Sequence, residues 1–268
     1  MELKNKNVII TGGCNGIGKE LVKQFLANGA RIVVADISKK INKIEKKENL
    51  LGVVCDVTDE KNIIKLVKTA EDFFGHIDMF VSNAGFMKGE KTSASSASNN
   101  LWQSYWDTHV MSHVFASRAT LPSMIERKKG YFLQISSAAA LLTQIGDAAY
   151  SASKSASLSF AESLAISHLD DGIKVSVVCP QYVNTRMINN EEKIQNNDLI
   201  KTTSEVVESI IKGIKDESFL ILTHDKVHQY INYKINNYDT WIKKMSKIRK
   251  RAIKKRGHID VKNFYKFL

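Results

Sequence analysis

Short runs of apolar and β-branched residues alternate along the chain with longer segments in which apolar residues recur at helical spacing. The short runs predict strands at 6–11, 31–36, 51–55, 78–82, 130–136, 173–179 and 218–223. The longer segments predict helices near 16–29, 59–74, 101–128, 149–170 and 204–215. Strands that are apolar on both faces and alternate with helices are typical of a parallel sheet covered on both sides. The pattern therefore predicts an α/β fold in a single domain.

Beyond residue 224 the pattern changes to a long amphipathic segment. Its lysines lie opposite a stripe of apolar residues, Tyr230, Ile231, Ile235, Tyr238, Trp241, Ile242, Met245, Ile248 and Ala252. This spacing predicts a helix over 225–256 whose stripe packs against protein, because large apolar side chains are seldom left in water. We therefore divide the chain into a body, residues 1–224, and a basic helical extension, residues 225–268.

The formal net charge of +11 belongs almost entirely to the end of the chain. Residues 241–268 hold 11 lysines and arginines and one acid, whereas the first 240 residues hold 28 bases and 27 acids. The nearly neutral body gives no indication of a nucleic-acid partner. Three interpretations of the extension stay open. In the first, which we favour, the extension packs on the body or on a neighbouring subunit. In the second it contacts an anionic membrane surface peripherally, and in the third it forms a basic entrance to the site for acidic substrates.

The cysteines and histidines predict neither a disulfide framework nor a metal site. The three cysteines are far apart and lack CxxC spacing, which favours a reducing compartment. With no apolar leader and no apolar run of roughly 18 residues, we expect a cytoplasmic protein, or one at a membrane surface if the extension binds lipid. The pairs His109/His113 and His224/His228 stand four residues apart but lack the glutamate of HExxH, so packing or solvated roles are expected.

The stretch ITGGCNGIGKE, residues 10–20, fits two kinds of nucleotide-binding turn. Read from Gly13, it matches most of an ATP-type phosphate loop. Such a loop needs Ser or Thr directly after its lysine to hold magnesium, but Lys19 is followed by Glu20. The ATP interpretation therefore fails at the metal ligand.

The dinucleotide interpretation fits the same stretch better. Gly12, Gly16 and Gly18 lie between a predicted strand and a predicted helix, where glycines let the backbone approach a pyrophosphate. Asp36 ends the next strand, 18 residues past Gly18, and its carboxylate can accept hydrogen bonds from a ribose diol. The spacing predicts a dinucleotide cofactor.

A possible proton carrier lies downstream. Tyr150 and Lys154 stand at i, i+4 at the start of a predicted helix, so their side chains point the same way. A free phenol has a pKa of ~10 and is a poor base at neutral pH. An ammonium about 4 Å away, at an effective dielectric of about 20, is worth roughly 4 kcal/mol, or about 3 pKa units. Lys154 would thus let the phenol exchange a proton with an alcohol or ketone. Ser137, at the end of the preceding strand, can hydrogen-bond the substrate oxygen.

Taken together, these motifs resemble those of the short-chain dehydrogenase/reductase family. The resemblance covers roughly residues 5–222, and it is carried by TGxxxGxG, Asp56-Val57, SNAG (82–85), Ser137, YSASK (150–154) and PQYVNT (180–185). It implies a Rossmann-like, doubly wound parallel sheet of seven strands and an oxidoreductase that uses a nicotinamide dinucleotide.

The resemblance also implies catalytic roles. Ser137 would polarise the substrate oxygen, and Tyr150 would act as general acid/base. Lys154 would lower the pKa of Tyr150 and hold the nicotinamide ribose. Many members of the family carry an asparagine that supports a water path from the lysine, and counting back from Pro122 this chain has His109 there. A histidine would keep a proton relay and make it sensitive to pH.

The cofactor site that the resemblance implies consists of Gly12, Asn15, Gly16, Ile17, Gly18, Asp36, Asp56, Val57, Asn83, Ala84, Gly85, Tyr150, Lys154, Pro180, Val183 and Thr185. Residues 56–57 would contact the adenine, residues 83–84 would flank the cofactor, and Val183 and Thr185 would hold the carboxamide. The chain departs from the family at Gln181, where a glycine usually follows the proline.

We therefore expect residues 1–224 to form a dinucleotide-binding catalytic domain, with a substrate loop at about 184–203. The cofactor is expected to be NAD rather than NADP, because Asp36 repels a 2′-phosphate and neither Cys14 nor Asn15 offers it a positive charge. The predicted reaction interconverts a secondary alcohol and a ketone in a homodimer or homotetramer. The alternatives are a 3-oxoacyl-thioester reductase and a catalytically silent NAD-binding protein that acts through its basic extension.

Overall fold

The sheet carries the loops that form the site. The structure, a computed structural model, describes residues 1–90, 92–188 and 199–268. Its strands are β1 (Asn7–Thr11), β2 (Arg31–Asp36), β3 (Leu50–Val54), β4 (Met79–Ser82), β5 (Gly130–Ile135), β6 (Ile173–Val178), β7 (Tyr182–Val183), β8 (Ile200–Lys201) and β9 (Leu220–Ile221). Within these residues, seven strands form one parallel sheet in the order β3-β2-β1-β4-β5-β6-β9, and β7 pairs with β8. The predicted doubly wound, Rossmann-like sheet is confirmed, and its order reverses between β1 and β4.

Helices follow most of the strands. They are α1 (Gly16–Ala27), α2 (Glu60–Phe74), α3 (Asn99–Trp106), α4 (Ser112–Glu126), α5 (Ala139–Leu142), α6 (Ala148–His168), α7 (Thr203–Lys215), α8 (Asp225–Asn236) and α9 (Tyr238–Arg256). The predicted single helix over 101–128 is wrong in detail, because a π-helical turn, Asp107–Met111, separates α3 from α4. A π-turn inserts one extra residue into the helix, which an apolar period of 3.6 cannot reveal.

Each face of the sheet has its own core. Successive residues of a strand point to opposite faces. Ile10 packs with Leu21 and Phe25 of α1, whereas Ile9 packs with Leu66 of α2 on the other face, and all are fully buried. Burying such a side chain contributes roughly 1.5–3 kcal/mol. The two cores therefore fix the carboxyl ends of the strands, where the site lies.

The extension is two helices rather than the predicted single one over 225–256. Asn237, with φ −139° and ψ 46°, breaks the helix between α8 and α9, and a 3₁₀ segment, Val261–Phe267, follows α9. Because the helix is interrupted at Asn237, the predicted apolar stripe does not stay on one buried face. Trp241 and Ile248 are buried against the body, whereas other members of the stripe, Ile235, Tyr238 and Ile242, are exposed. None of the described helices is long and apolar enough to cross a membrane.

Candidate active site

One cavity of about 650 Å³ lies at the carboxyl ends of the strands. It is lined by every predicted catalytic and cofactor residue except His109: Gly12, Asn15, Gly16, Ile17, Gly18, Asp36, Asp56, Val57, Asn83, Ala84, Gly85, Ser137, Tyr150, Lys154, Pro180, Val183 and Thr185. The fold thus brings together residues spread over most of the body. Part of the predicted substrate loop at 184–203 lies outside the described residues, at 189–198.

The glycine turn between β1 and α1 leaves no room for side chains. A Cβ on Gly12, whose φ is +65°, would lie 2.9 Å from the Cα of Ala84, and a Cβ on Gly18 would lie 2.2 Å from the Gly12 carbonyl oxygen. Asn15, the N-cap residue of α1, makes no capping hydrogen bond with its side chain. A helix N-terminus whose amides have no capping side chain, beside a turn of bare backbone, suits the pyrophosphate of a dinucleotide.

Asn83 holds this turn in place. Its Nδ2 donates to the carbonyl oxygens of Thr11 at 2.8 Å and Gly12 at 3.2 Å. The backbone amides of Asn83 and Ala84 donate to the Thr11 hydroxyl at 3.0 and 3.2 Å. The segment after β4 is therefore tied to the glycine turn by side chains from both partners.

Asp36 faces the end of the cavity that a ribose would occupy. Its Oδ2 accepts from the Cys14 amide at 2.9 Å, and its Oδ1 accepts from the Ser38 amide at 2.8 Å. The sequence pattern missed Lys40, whose Nζ donates to Asn15 Oδ1 at 2.7 Å. The expectation considered only Cys14 and Asn15, whereas Lys40 brings a positive charge to this end of the cavity. Lys40 stands only four residues beyond Asp36, in a short 3₁₀ turn, Lys39–Lys43, that the apolar pattern does not predict.

Tyr150 and Lys154 lie on one face of α6, both buried. The Lys154 ammonium donates to the Ile135 carbonyl at 3.0 Å and lies 5.8 Å from the centre of the Tyr150 ring. Burial raises the pKa of Tyr150 to about 12, while interaction with the Ser137 hydroxyl acts in the opposite direction. Burial also lowers the pKa of Lys154 to about 8. Desolvation sets the direction of the Tyr150 pKa, and the expected lowering by Lys154 is not found within the chain itself.

Asp147 orients the first turn of α6, a role that the motifs did not assign. It is fully buried, and its Oδ1 accepts from the Tyr150 amide at 3.2 Å as the helix N-cap. Its Oδ2 accepts from the Tyr105 hydroxyl and from the Gly89 amide, each at 2.7 Å. An aspartate three residues before a tyrosine that opens a helix is a capping signal that the sequence does contain.

His109 lies behind the cavity, on the π-turn, fully buried. Its Nε2 accepts from the Phe86 amide at 3.3 Å, so the proton of the neutral ring is on Nδ1, which donates to Ser153 Oγ at 2.9 Å. Burial and the nearby Lys154 hold the pKa of His109 well below 6.5. The buried ring is therefore neutral near pH 7, and its part in a proton relay stays a prediction.

The extension reaches the rim of the same region. Val261 packs against Gly89, where a Cβ would lie 2.8 Å from its Cγ2, and a Cβ on Gly146 would lie 2.2 Å from Ile259 Cγ2. The Tyr265 ring lies 5.6 Å from that of Tyr182. The extension thus contacts the loops that surround Tyr150, which supports its packing on the body.

The site's donors suit a dinucleotide and proton transfer rather than a metal. Within the ranges that the structure describes, no group of three or more His, Cys, Asp or Glu could hold a metal ion. The glycine turn, the α1 N-terminus and Asp36 provide the contacts that a dinucleotide requires. Ser137, Tyr150 and Lys154 provide a hydroxyl, a phenol and an ammonium around one volume.

Comparison with known sequences agrees with this arrangement. The family model described as short chain dehydrogenase matches residues 6–196. Oxidoreductase UcpA of Escherichia coli (strain K12) is 31% identical over 193 residues, 69% of this chain and 72% of that protein. Meso-2,3-butanediol dehydrogenase of Serratia marcescens is 31% identical over 193 residues, 70% of this chain and 76% of that protein.

Solved structures share the fold at lower identity. A short-chain dehydrogenase/reductase from Burkholderia phymatum in complex with NAD has a TM-score of 0.78 and 21% identity, and the match covers 90% of this chain and 96% of that one. A short-chain dehydrogenase from Burkholderia cenocepacia J2315 in complex with NADP has a TM-score of 0.78 and 17% identity, covering 90% and 97%. The first of these two proteins is thus in complex with NAD and the second with NADP.

Proposed function

The chain belongs to the short-chain dehydrogenase family, and from that premise we propose that it uses NAD(H) to interconvert a secondary alcohol and a ketone. Membership makes it an oxidoreductase with a nucleotide cofactor. The observation that carries the finer proposal is the shared cavity, in which Ser137, Tyr150 and Lys154 stand beside the glycine turn and Asp36.

In this proposal the chain's own residues handle the proton. A bound nicotinamide would supply or accept the hydride. With a pKa of about 12, the phenol of Tyr150 is protonated at neutral pH, which suits donation of a proton to a ketone oxygen. Ser137 would hydrogen-bond that oxygen, and Lys154, with a pKa of about 8, would stay largely charged and disperse the negative charge left on the phenol.

The choice of NAD rests on opposed charges. The carboxylate of Asp36 would repel a 2′-phosphate and bind a ribose diol, whereas Lys40 would attract the phosphate. Asp36 is buried and held by two backbone amides, while Lys40 is exposed and screened by water. We therefore expect the carboxylate to dominate.

The test is a panel of secondary alcohols and ketones assayed with NAD(H) and with NADP(H). We expect turnover of at least one substrate, measured as the appearance or loss of the reduced cofactor. A protein that binds NAD tightly but turns over no member of the panel would favour a silent NAD-binding protein over this proposal.

We also propose a homo-oligomer in a reducing, cytoplasmic compartment. Trp102 and Trp106 of α3 and Ile166 of α6 are exposed, although such side chains are usually covered. All three cysteines are free thiols. Light scattering at micromolar concentration should give a dimer or tetramer, and a monomer that persists with rising concentration would contradict the proposal.

A further inference from the structure

The segment 180–183 stands where the family resemblance leads one to expect a proline followed by a glycine. It follows β6 and borders the cavity through Pro180, Gln181 and Val183. Gln181 does not lie in the left-handed region, so its backbone accepts a side chain without strain. The question is what holds a segment that lacks the glycine.

His224 contacts this segment at two backbone groups, one on either side of the peptide unit that joins Gln181 to Tyr182. Its Nε2 lies 2.9 Å from the Tyr182 carbonyl oxygen, and its Nδ1 lies 3.3 Å from the Gln181 amide nitrogen. The Thr223 hydroxyl lies 2.9 Å from the same Nδ1. His224 is buried, 4% exposed, and it caps α8 at the junction between the body and the extension.

These partners fix the state of the imidazole. A carbonyl oxygen only accepts, so Nε2 carries the proton and donates to Tyr182. The Gln181 amide only donates, so Nδ1 is unprotonated and accepts. A second proton on Nδ1 could be donated to the Thr223 hydroxyl but would remove the acceptor for the Gln181 amide, so only the neutral ring accepts from Gln181 while it donates to Tyr182.

The same segment is tied to the catalytic serine from its other side. The Ala138 amide donates to the Pro180 carbonyl at 2.8 Å, and Ala138 directly follows Ser137. A shift of the segment would therefore reach the cavity wall at Val183 and the backbone beside Ser137 together.

We propose that His224 is a positioning residue that clamps the segment 180–183, so that the nicotinamide end of the cofactor site and the Ser137 backbone keep their places. The proposal rests on the function proposed above. The clamp holds the backbone on both sides of Gln181 through side-chain hydrogen bonds from a single buried residue.

The experiment compares His224→Phe, His224→Gln and His228→Phe in the full-length protein. His228 lies four residues on in α8, exposed, which makes its variant a matched control. NAD affinity is measured by calorimetry, and kcat and KM are measured with any substrate found. Phenylalanine leaves the Gln181 amide and the Tyr182 carbonyl unpaired, so we expect the NAD dissociation constant to rise at least about tenfold. Glutamine can donate and accept, and should restore most of the affinity.

Two binding results would overturn the clamp. One is an affinity for NAD in His224→Phe equal to that of His228→Phe, and the other is a loss in His224→Gln as large as in His224→Phe. A wild-type protein that binds neither NAD nor NADP would instead overturn the proposed function, and the clamp with it.

The pH dependence of binding decides the question even if His224→Phe does not fold. Burial holds the pKa of His224 below 6.5. The hydrogen bond to the Tyr182 carbonyl opposes this shift, as do Asp225 and Glu205, while Lys201 acts in the same direction as burial. Protonation at lower pH removes the acceptor for Gln181. The wild-type NAD dissociation constant should therefore rise as the pH falls through the lowered pKa of His224, and that of His224→Gln should stay nearly level. Equal pH dependence in the two proteins would contradict the clamp.

Discussion

The two ends of the cavity are built from contacts of different reach along the sequence. At the cofactor end, Asp36 accepts from Cys14, 22 residues away, within one strand–helix–strand unit. The substrate end is formed around Tyr150 and the loops that contact it. There, Asp147 accepts from the Gly89 amide across 58 residues, and Arg249 of the extension donates to the Thr92 carbonyl, three residues beyond Gly89, across 157. The first end combines a local motif with the contacts of Asn83, whereas the second is an assembly of distant segments that includes the extension.

This difference teaches which parts of the site depend on the extension. The glycine turn is held by Asn83 and by close packing that leaves no room for side chains at Gly12 and Gly18. Its glycines touch no residue of the extension in the described contacts. The loops around Tyr150 contact Val261 and Ile259. Damage to the extension should therefore reach the substrate end first.

The largest effect is expected from Phe264→Ala. Phe264 is 2% exposed in the cluster that joins the extension to Met87 and Ile145 of the body. Removing a buried phenylalanine side chain costs roughly 3–5 kcal/mol. The melting temperature should fall by at least about 6 °C.

The control for this variant is Ile242→Ala, on the exposed side of α9. It should melt within about 2 °C of the wild type, since exposed positions contribute little. Equal melting temperatures for the two variants would break the comparison, because the extension would then not be joined to the substrate end.

The preference for NAD over NADP tests the comparison at the cofactor end of the cavity. The wild type should prefer NAD over NADP by at least about tenfold in kcat/KM, which corresponds to 1.4 kcal/mol. Asp36→Ala should move the preference towards NADP, and Lys40→Ala should move it further towards NAD, because the two side chains carry opposite charges. Phe264→Ala should leave the ratio unchanged. Comparable kcat/KM with both cofactors in the wild type would contradict this prediction.

The smallest effect is expected from His109→Asn, on the stability of the protein at acidic pH. The pKa of His109 is lowered by burial, so as the pH falls below 6.5 the unfolded chain binds a proton that the folded chain does not. Stability from this group is thus complete above the ordinary histidine pKa and is lost as the pH falls. His109→Asn should make the slope of unfolding free energy against pH shallower, by up to about 1.4 kcal/mol per pH unit below 6.5. Denaturant titrations at several pH values measure it, and identical slopes would show that His109 is not buried as described.

The sequence was informative where the contacts are local. Gly12, Gly18 and Asp36 fall within a single turn and strand, and apolar runs locate each strand of the sheet. The π-turn at His109 and the break at Asn237 change a helix by one residue or one backbone angle, which an average over many positions does not detect.

The sequence contains the capping signal of Asp147, but the long-range contacts of Asp147 and His224 were out of reach for a different reason. His224 contacts Gln181, 43 residues away in the chain, and Asp147 contacts Gly89, 58 residues away. The predicted pKa of Tyr150 had the wrong direction, since spacing shows a neighbouring charge but not the desolvation of both groups.

The most direct test of the central claim is the turnover of Tyr150→Phe with NAD and the best substrate. The variant keeps the ring and removes the proton carrier, so kcat should fall by at least roughly 10²-fold. The NAD dissociation constant, measured on the same preparation, should stay close to that of the wild type. Near wild-type turnover in Tyr150→Phe would contradict the account, because the proton would then reach the substrate by another route.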